Sequence, residues 1–120
     1  MTHKTGQDLI DEAKRQIEEL TPEQVLEMQS RNEKAVYLDV REPNEWNLGR
    51  LPNAVHLPRG NLETKVEGLV DRSQRVIIYC ARGNRSALAA LTMKQMGYEN
   101  VASMSRGFMG WTEIGGQIDE

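Results

Sequence analysis

Apolar positions along this chain follow two rhythms, that of a half-buried helix and that of a buried strand. Leu9, Ile10, Ala13, Ile17 and Leu20 share one helical face, with Asp11, Glu12, Lys14, Arg15, Glu18 and Glu19 elsewhere. That spacing predicts an amphipathic helix, a helical extension over residues 1–20 ahead of a main domain at 21–120. The simplest use of such a helix is to pack on that domain, the alternative being to dock a partner or second subunit. Thr21-Pro22-Glu23-Gln24 is a compact helix start, with Thr as N-cap, Pro at the first turn and Gln placed for a capping box. Val25, Leu26 and Met28 carry that helix to about Ser30.

Strand rhythm takes over at Ala35–Val40, bounded ahead by Pro43. Val76-Ile77-Ile78-Tyr79 is apolar throughout, as a strand buried between two helix layers would be. Asn100–Met104 is a weaker third strand, and Ala54–Pro58 is a short strand-like run. Ser86–Met96, rich in Ala, Leu and Met, predicts a helix starting near Asn84–Ser86 and stopped by Gly97. The Gly115-Gly116 tail reads as a frayed end. Strands alternating with helices imply an α/β fold with parallel pairs, whose sites lie beyond the strand C-termini.

Composition narrows the function. The 120 residues suit one domain, and a net charge of −3 with mixed signs offers no basic field for nucleic acid. Aromatic content of 5% is too low for a base-stacking platform. No apolar run approaches the ~20 residues of a membrane helix, and residues 1–8 lack the apolar core of a secretory signal. A single cysteine excludes an intramolecular disulfide and fits a reducing compartment, so a cytoplasmic location is expected.

That cysteine, Cys80, ends the most apolar strand and is followed by Ala81-Arg82-Gly83-Asn84-Arg85-Ser86. A thiol is a nucleophile only as thiolate, and a helix N-terminus or nearby Arg favours that form. Gly83 lets the loop fold back so that amides converge on one point, an anion nest opening a helix. Arg82 and Arg85 add two permanent positive charges. No base is evident: His3 sits in a polar terminus, and His56 reads as a satisfied half-buried histidine. Activation would fall to backbone amides and Arg, and neither a metal nor a cofactor is expected.

These residues resemble the rhodanese family of sulfurtransferases over about residues 20–118. Leu38-Asp39-Val40-Arg41-Glu42-Pro43-Asn44-Glu45-Trp46 is similar to the family's first signature. Gly49-Arg50-Leu51-Pro52-Asn53-Ala54 and Leu57-Pro58-Arg59-Gly60 follow in order, then the loop Cys80–Ser86 and the closing segment from Arg106-Gly107 to Trp111. The resemblance implies a three-layer fold, a small and mostly parallel central sheet flanked by helices. It implies that Cys80 takes the outer sulfur of thiosulfate or a persulfide donor, carries it as a covalent persulfide, and passes it to cyanide or a thiol in two displacements. Partners would be that small-molecule donor and acceptor, with a sulfur-carrier or thioredoxin-like protein as a further acceptor.

The resemblance also suggests roles. The amides of residues 81 to 86 would hold the persulfide's terminal sulfur, and Arg82 would recognise an anionic donor. Arg85 would bind either substrate or the loop's own carbonyls, and Ser86 would cap the helix and only secondarily touch the site. Asp39 and Arg41 would be supporting residues that tie loops together, and Trp46 and Trp111 core or pocket wall. The chain departs from the family pattern at Arg50, Asn53 and Arg106; Arg50, Arg59 and Arg106 would add positive charge if they faced the pocket. Two other readings remain, a carrier module that turns over small donors poorly, and a cysteine phosphatase or arsenate reductase. Four residues separate Cys80 from Arg85, against five in those phosphatases and reductases, which favours a cradle for one sulfur atom.

Overall fold

The computed structural model describes residues 2–120. Its elements run α1 (Gly6–Gln16), β1 (Glu18–Leu20), α2 (Pro22–Ser30), β2 (Val36–Asp39), α3 (Pro43–Asn47), β3 (Val55–His56), α4 (Leu62–Lys65), β4 (Val76–Tyr79), α5 (Asn84–Gln95), β5 (Val101–Met104) and α6 (Gly107–Glu113). Five strands form one sheet in the order β1-β5-β4-β2-β3, and every neighbouring pair is parallel. The expected α/β sheet is therefore present, and is parallel throughout.

Alternation along β4 explains the layers. Ile78 and Cys80 point into one core with Leu38, Val40, Ala89, Ala90, Met93 and Tyr98. Ile77 and Tyr79 point into the other with Val25, Tyr37, Ala102, Met104 and Trp111. A strand buried on both faces needs no polar alternation, so the run 76–79 reads as continuous hydrophobicity. The predicted cap of α2 is present, with Thr21 Oγ1 accepting from the Gln24 amide at 3.1 Å and Gln24 Oε1 from the Thr21 amide at 2.8 Å.

Two expectations need correction. The N-terminal helix ends at Gln16, and Glu18–Leu20 is an edge strand paired with Ala102–Met104. Ile17 and Leu20 would share a helical face, but in extended chain residues three apart face opposite ways. Ile17 accordingly joins the α5-side core and Leu20 the α2-side core. The helix itself packs along α5, where Lys94 Nζ donates to the Gln16 carbonyl at 2.6 Å.

The C-terminal tail is seated where fraying was expected. Gly116 donates to the Trp111 carbonyl at 3.0 Å, and Trp111 Nε1 donates to the Gln117 carbonyl at 2.9 Å. A Cβ on Gly116 would lie 2.2 Å from the Trp111 ring, so the tail crosses flush against the indole. Asp119 and Arg50 then exchange backbone hydrogen bonds at 2.9 and 3.0 Å. At the C-terminal ends of the strands, β4 delivers Cys80 to the rim.

Candidate active site

Cys80 is 1% exposed and forms no disulfide. The chain turns immediately after it through Gly83, whose φ of +98° is left-handed and whose absent side chain leaves room for the Arg106 amide. This turn brings two amides onto the sulfur. Gly83 N donates to Sγ at 3.2 Å and Ser86 N at 3.3 Å. Ser86 Oγ lies 3.4 Å from Sγ and 2.8 Å from Ser103 Oγ on β5. The sulfur thus sits in a cage of amide donors at the start of α5.

A second element fixes the loop from behind. The first amides of α6 are spent on it, Phe108 N donating to the Cys80 carbonyl at 2.8 Å and Met109 N to the Ala81 carbonyl at 3.0 Å. Gly107, at φ +52°, permits this approach: a Cβ there would lie 2.4 Å from the Cys80 carbonyl oxygen and 2.7 Å from the Ala81 carbonyl carbon. Cys80's thiol and carbonyl are therefore held by different helices.

The two loop arginines part company. Arg82 is exposed and lines a hollow of about 250 Å³ with Cys80, Ala81, Asn84 and Arg85. Arg85 turns to Glu45 at the start of α3, with Nη1–Oε1 3.0 Å and Nη2–Oε2 3.2 Å. That bond is the main reason the Glu45 carboxyl is held below the usual carboxylate range and the Arg85 guanidinium above its own. Besides lining the hollow, Arg85 thus engages a carboxylate forty positions upstream, a partner not among the two expected for it. Ser86 touches the site, as expected, but does not cap the helix. Gly83 occupies the cap position without a side-chain bond, so the buried Ser86 lies inside the first turn and faces the thiol.

Asp39 and Arg41 form a buried bidentate pair beneath the rim, with Nε–Oδ1 3.0 Å and Nη2–Oδ2 2.7 Å. Arg41 Nη2 also donates to the Gly49 carbonyl at 2.7 Å, and its guanidinium lies over the Phe108 ring at 4.3 Å. The pair links β2 to the turn at Gly49 and to α6, and neither residue lines the hollow. Tyr79 beside it has its hydroxyl pushed up, chiefly by burial. His56 Nε2 bonds the Arg41 carbonyl at 2.8 Å and stacks on Trp46 with ring centres 4.7 Å apart. Neither it nor the exposed His3 lines the hollow. Trp111 is fully buried in the core.

The extra arginines are paired away from the sulfur. Arg50 lies over Trp46, Arg59 pairs with Glu63, and Arg106 with Glu23. A larger hollow of about 660 Å³, with Asn32, Val36, Tyr37 and Arg75 in its wall, opens where β2 and β4 begin. It lies at the end of the sheet opposite Cys80, so the smaller hollow is the candidate site. Sequence reasoning passed over Ser103 and Glu45, which only the fold brings to the loop. Gly107 had a signal, a glycine in the closing segment after the third predicted strand, but its contact was not readable. Among the described residues, no group of three or more His, Cys, Asp or Glu side chains could hold a metal. Among the same residues, no helix is long and apolar enough to cross a membrane.

Comparison with known proteins points the same way. The family model for the Rhodanese-like domain matches residues 21–114. YrkF of Bacillus subtilis, named as a sulfur carrier protein, is 37% identical over 75 residues, which are 62% of this chain and 40% of YrkF. The chain therefore spans well under half the length of that relative. A thiosulfate sulfurtransferase from Pseudomonas aeruginosa superposes with a TM-score of 0.80 at 31% identity, covering 91% of this chain and 21% of that one. A Rhodopseudomonas palustris protein of unknown function, suggested to be a tyrosine phosphatase, superposes at 0.88 with 31% identity, covering 99% of this chain and 97% of that one.

Proposed function

The chain belongs to the rhodanese-like domain family, and on that premise we propose that it is a sulfurtransferase carrying sulfane sulfur on Cys80. The carrying observation is the convergence of the Gly83 and Ser86 amides and the Ser86 hydroxyl on one sulfur atom. Such a cage of preorganised donors suits an anionic sulfur. In the first displacement the thiolate attacks the outer sulfur of thiosulfate. A Cys80–S bond forms, the sulfur–sulfur bond to sulfite breaks, and its electron pair leaves with sulfite. In the second, cyanide or a thiolate takes the terminal sulfur and the bonding pair returns to Cys80. Neither step consumes an external oxidant or reductant, and no separate cofactor is invoked.

Arg82, exposed at the rim, meets the anionic donor through charge-assisted hydrogen bonds. Acceptors include small thiols and a sulfur-carrier or thioredoxin-like protein, in keeping with the name of the Bacillus relative. A thiolate-based cycle suits a reducing compartment, and we place it in the cytoplasm.

Phosphoryl transfer is the second reading, favoured by the description of the Rhodopseudomonas neighbour. A cysteine phosphatase needs the arginine closing its loop to clamp phosphate oxygens. Here both terminal nitrogens of Arg85 are engaged by Glu45, and the loop has four residues between Cys80 and Arg85. One experiment separates the readings. Intact-protein mass after incubation with thiosulfate should rise by one sulfur atom, fall back on adding cyanide, and stay unchanged in Cys80→Ser. Hydrolysis of a chromogenic phosphate ester without any sulfur adduct would overturn the assignment.

A further inference from the structure

We infer that Ser103 is a positioning residue that, through the Ser86 hydroxyl, holds Cys80 in its proton-free forms. The inference rests on Cys80 being the reacting group, and it deepens the sulfur-transfer reading of that site. Ser103 lies on β5 opposite Ile78, is fully buried, and among the described residues its side chain bonds only to Ser86, at 2.8 Å. Ser86 is also fully buried, and its hydroxyl reaches Sγ at 3.4 Å.

Counting protons gives the chain a direction. Two contacts join three atoms, Ser103 Oγ, Ser86 Oγ and Cys80 Sγ, and each contact accommodates one hydrogen. A protonated thiol brings a third hydrogen to two contacts. One of the three then has no partner within the trio, which is costly for groups as buried as these. Removing the thiol proton to water leaves two hydrogens for two contacts, with Ser103 donating to Ser86 and Ser86 donating to sulfur. A persulfide meets the same count, because its inner sulfur carries no proton. The serine pair thus fits the thiolate and the persulfide and misfits the thiol.

Charged groups around the sulfur set the background for this effect. Arg82 and Arg85 stand on the loop, Arg85 being neutralised by Glu45 of α3, with Glu42 beyond it. Asp39 and Arg41 on the β2 side neutralise each other. Tyr79 precedes Cys80 on its own strand, its hydroxyl accepting from the Leu51 amide. β5 itself contributes no titratable side chain, and at the entry to α6 Arg106 is paired with Glu23. On the other side of β5, Glu19 of the edge strand β1 stands opposite Ser103 in register, with its side chain exposed to solvent.

The test is the rate of Cys80 alkylation by iodoacetamide as a function of pH, a neutral probe that needs no sulfur chemistry. Ser103→Ala should move the profile to higher pH and lower the rate at neutral pH by about tenfold, with the same plateau in alkali. Should the cavity in Ser103→Ala disturb the fold, Ser103→Thr and Ser103→Val provide a pair of equal shape differing in the hydroxyl. Thr should keep the wild-type profile and Val should reproduce the displacement. Superimposable profiles for Thr and Val would overturn the inference, as would a lowered plateau at unchanged pH position. Failure of wild-type protein to take sulfur from thiosulfate or a persulfide, with the displacement intact, would instead reject the sulfur-transfer reading and leave the relay standing.

Discussion

Glu45 holds both terminal nitrogens of Arg85, at 3.0 and 3.2 Å, across forty positions of chain. This contact makes the loop's closing arginine a strut between α3 and α5. It leaves Arg82 as the cation at the mouth that no carboxylate engages among the described residues.

Replacing Glu45 with Gln should release Arg85 toward the hollow. The KM for thiosulfate is then expected to fall several-fold with little change in kcat, as steady-state kinetics would reveal. Stability should drop by less than about 1 kcal/mol, because the pair is only partly buried. The pH dependence has a defined sign. Arg85 holds the folded carboxyl below its unfolded value, so the stabilisation is complete above the ordinary carboxylate range, about 4.3. It is lost as the pH falls through the lower folded value. Urea unfolding at a series of pH values should show wild type and E45Q differing near neutrality and converging in acid.

Gly107→Ala should damage the site through the backbone. The new Cβ would meet the Cys80 carbonyl oxygen at 2.4 Å, and φ at this position is +52°. Left-handed strain and overpacking together predict a loss of about 2–4 kcal/mol. Thermal unfolding should register it as a lower Tm. Thiosulfate turnover should fall as well, since the α6 amides that hold the Cys80 and Ala81 carbonyls would be displaced.

Much of this architecture was legible in the sequence where local chemistry decides. Val76–Tyr79 announces a doubly buried strand, Thr21 and Gln24 a capping box, and Gly97 a helix stop in the left-handed region. The cysteine loop was legible too, because a strand end, a glycine and a helix start lie within seven residues. What escaped depends on tertiary partners. Glu18-Glu19-Leu20 becomes a strand only because Ala102–Met104 offers it an edge, and its helical periodicity pointed the other way. Ser86 looks like a cap until the helix is seen to begin at Asn84, which turns it inward toward Ser103. Gly115-Gly116 resembles a loose tail until the indole of Trp111 fills the space beside Gly116.

Asp39→Asn tests the pair beneath the rim. It would leave Arg41, 4% exposed, without a countercharge while it still donates to the Gly49 carbonyl. Breaking one side of a buried ion pair typically costs about 3–5 kcal/mol. Equilibrium denaturation should therefore reveal one of the largest losses among single substitutions near the site. Because Asp39 does not line the hollow, folded D39N at low temperature should retain most of its capacity to take up sulfur.

Arg82→Ala isolates donor recognition from activation of the sulfur. Arg82 is exposed, among the described residues forms no ion pair, and lines the hollow over Cys80. Neither of the amides on Sγ belongs to it. Its removal should raise the KM for thiosulfate by about tenfold, the scale of one hydrogen bond to a charged group, with kcat changed far less. Alkylation by neutral iodoacetamide should proceed at the wild-type rate, since the cage around the sulfur is intact. Wild-type kcat/KM for thiosulfate should also fall as salt is added, and R82A should show a shallower decline. Equal loss of thiosulfate turnover and alkylation in R82A would assign this arginine to the loop's integrity and remove it from donor binding.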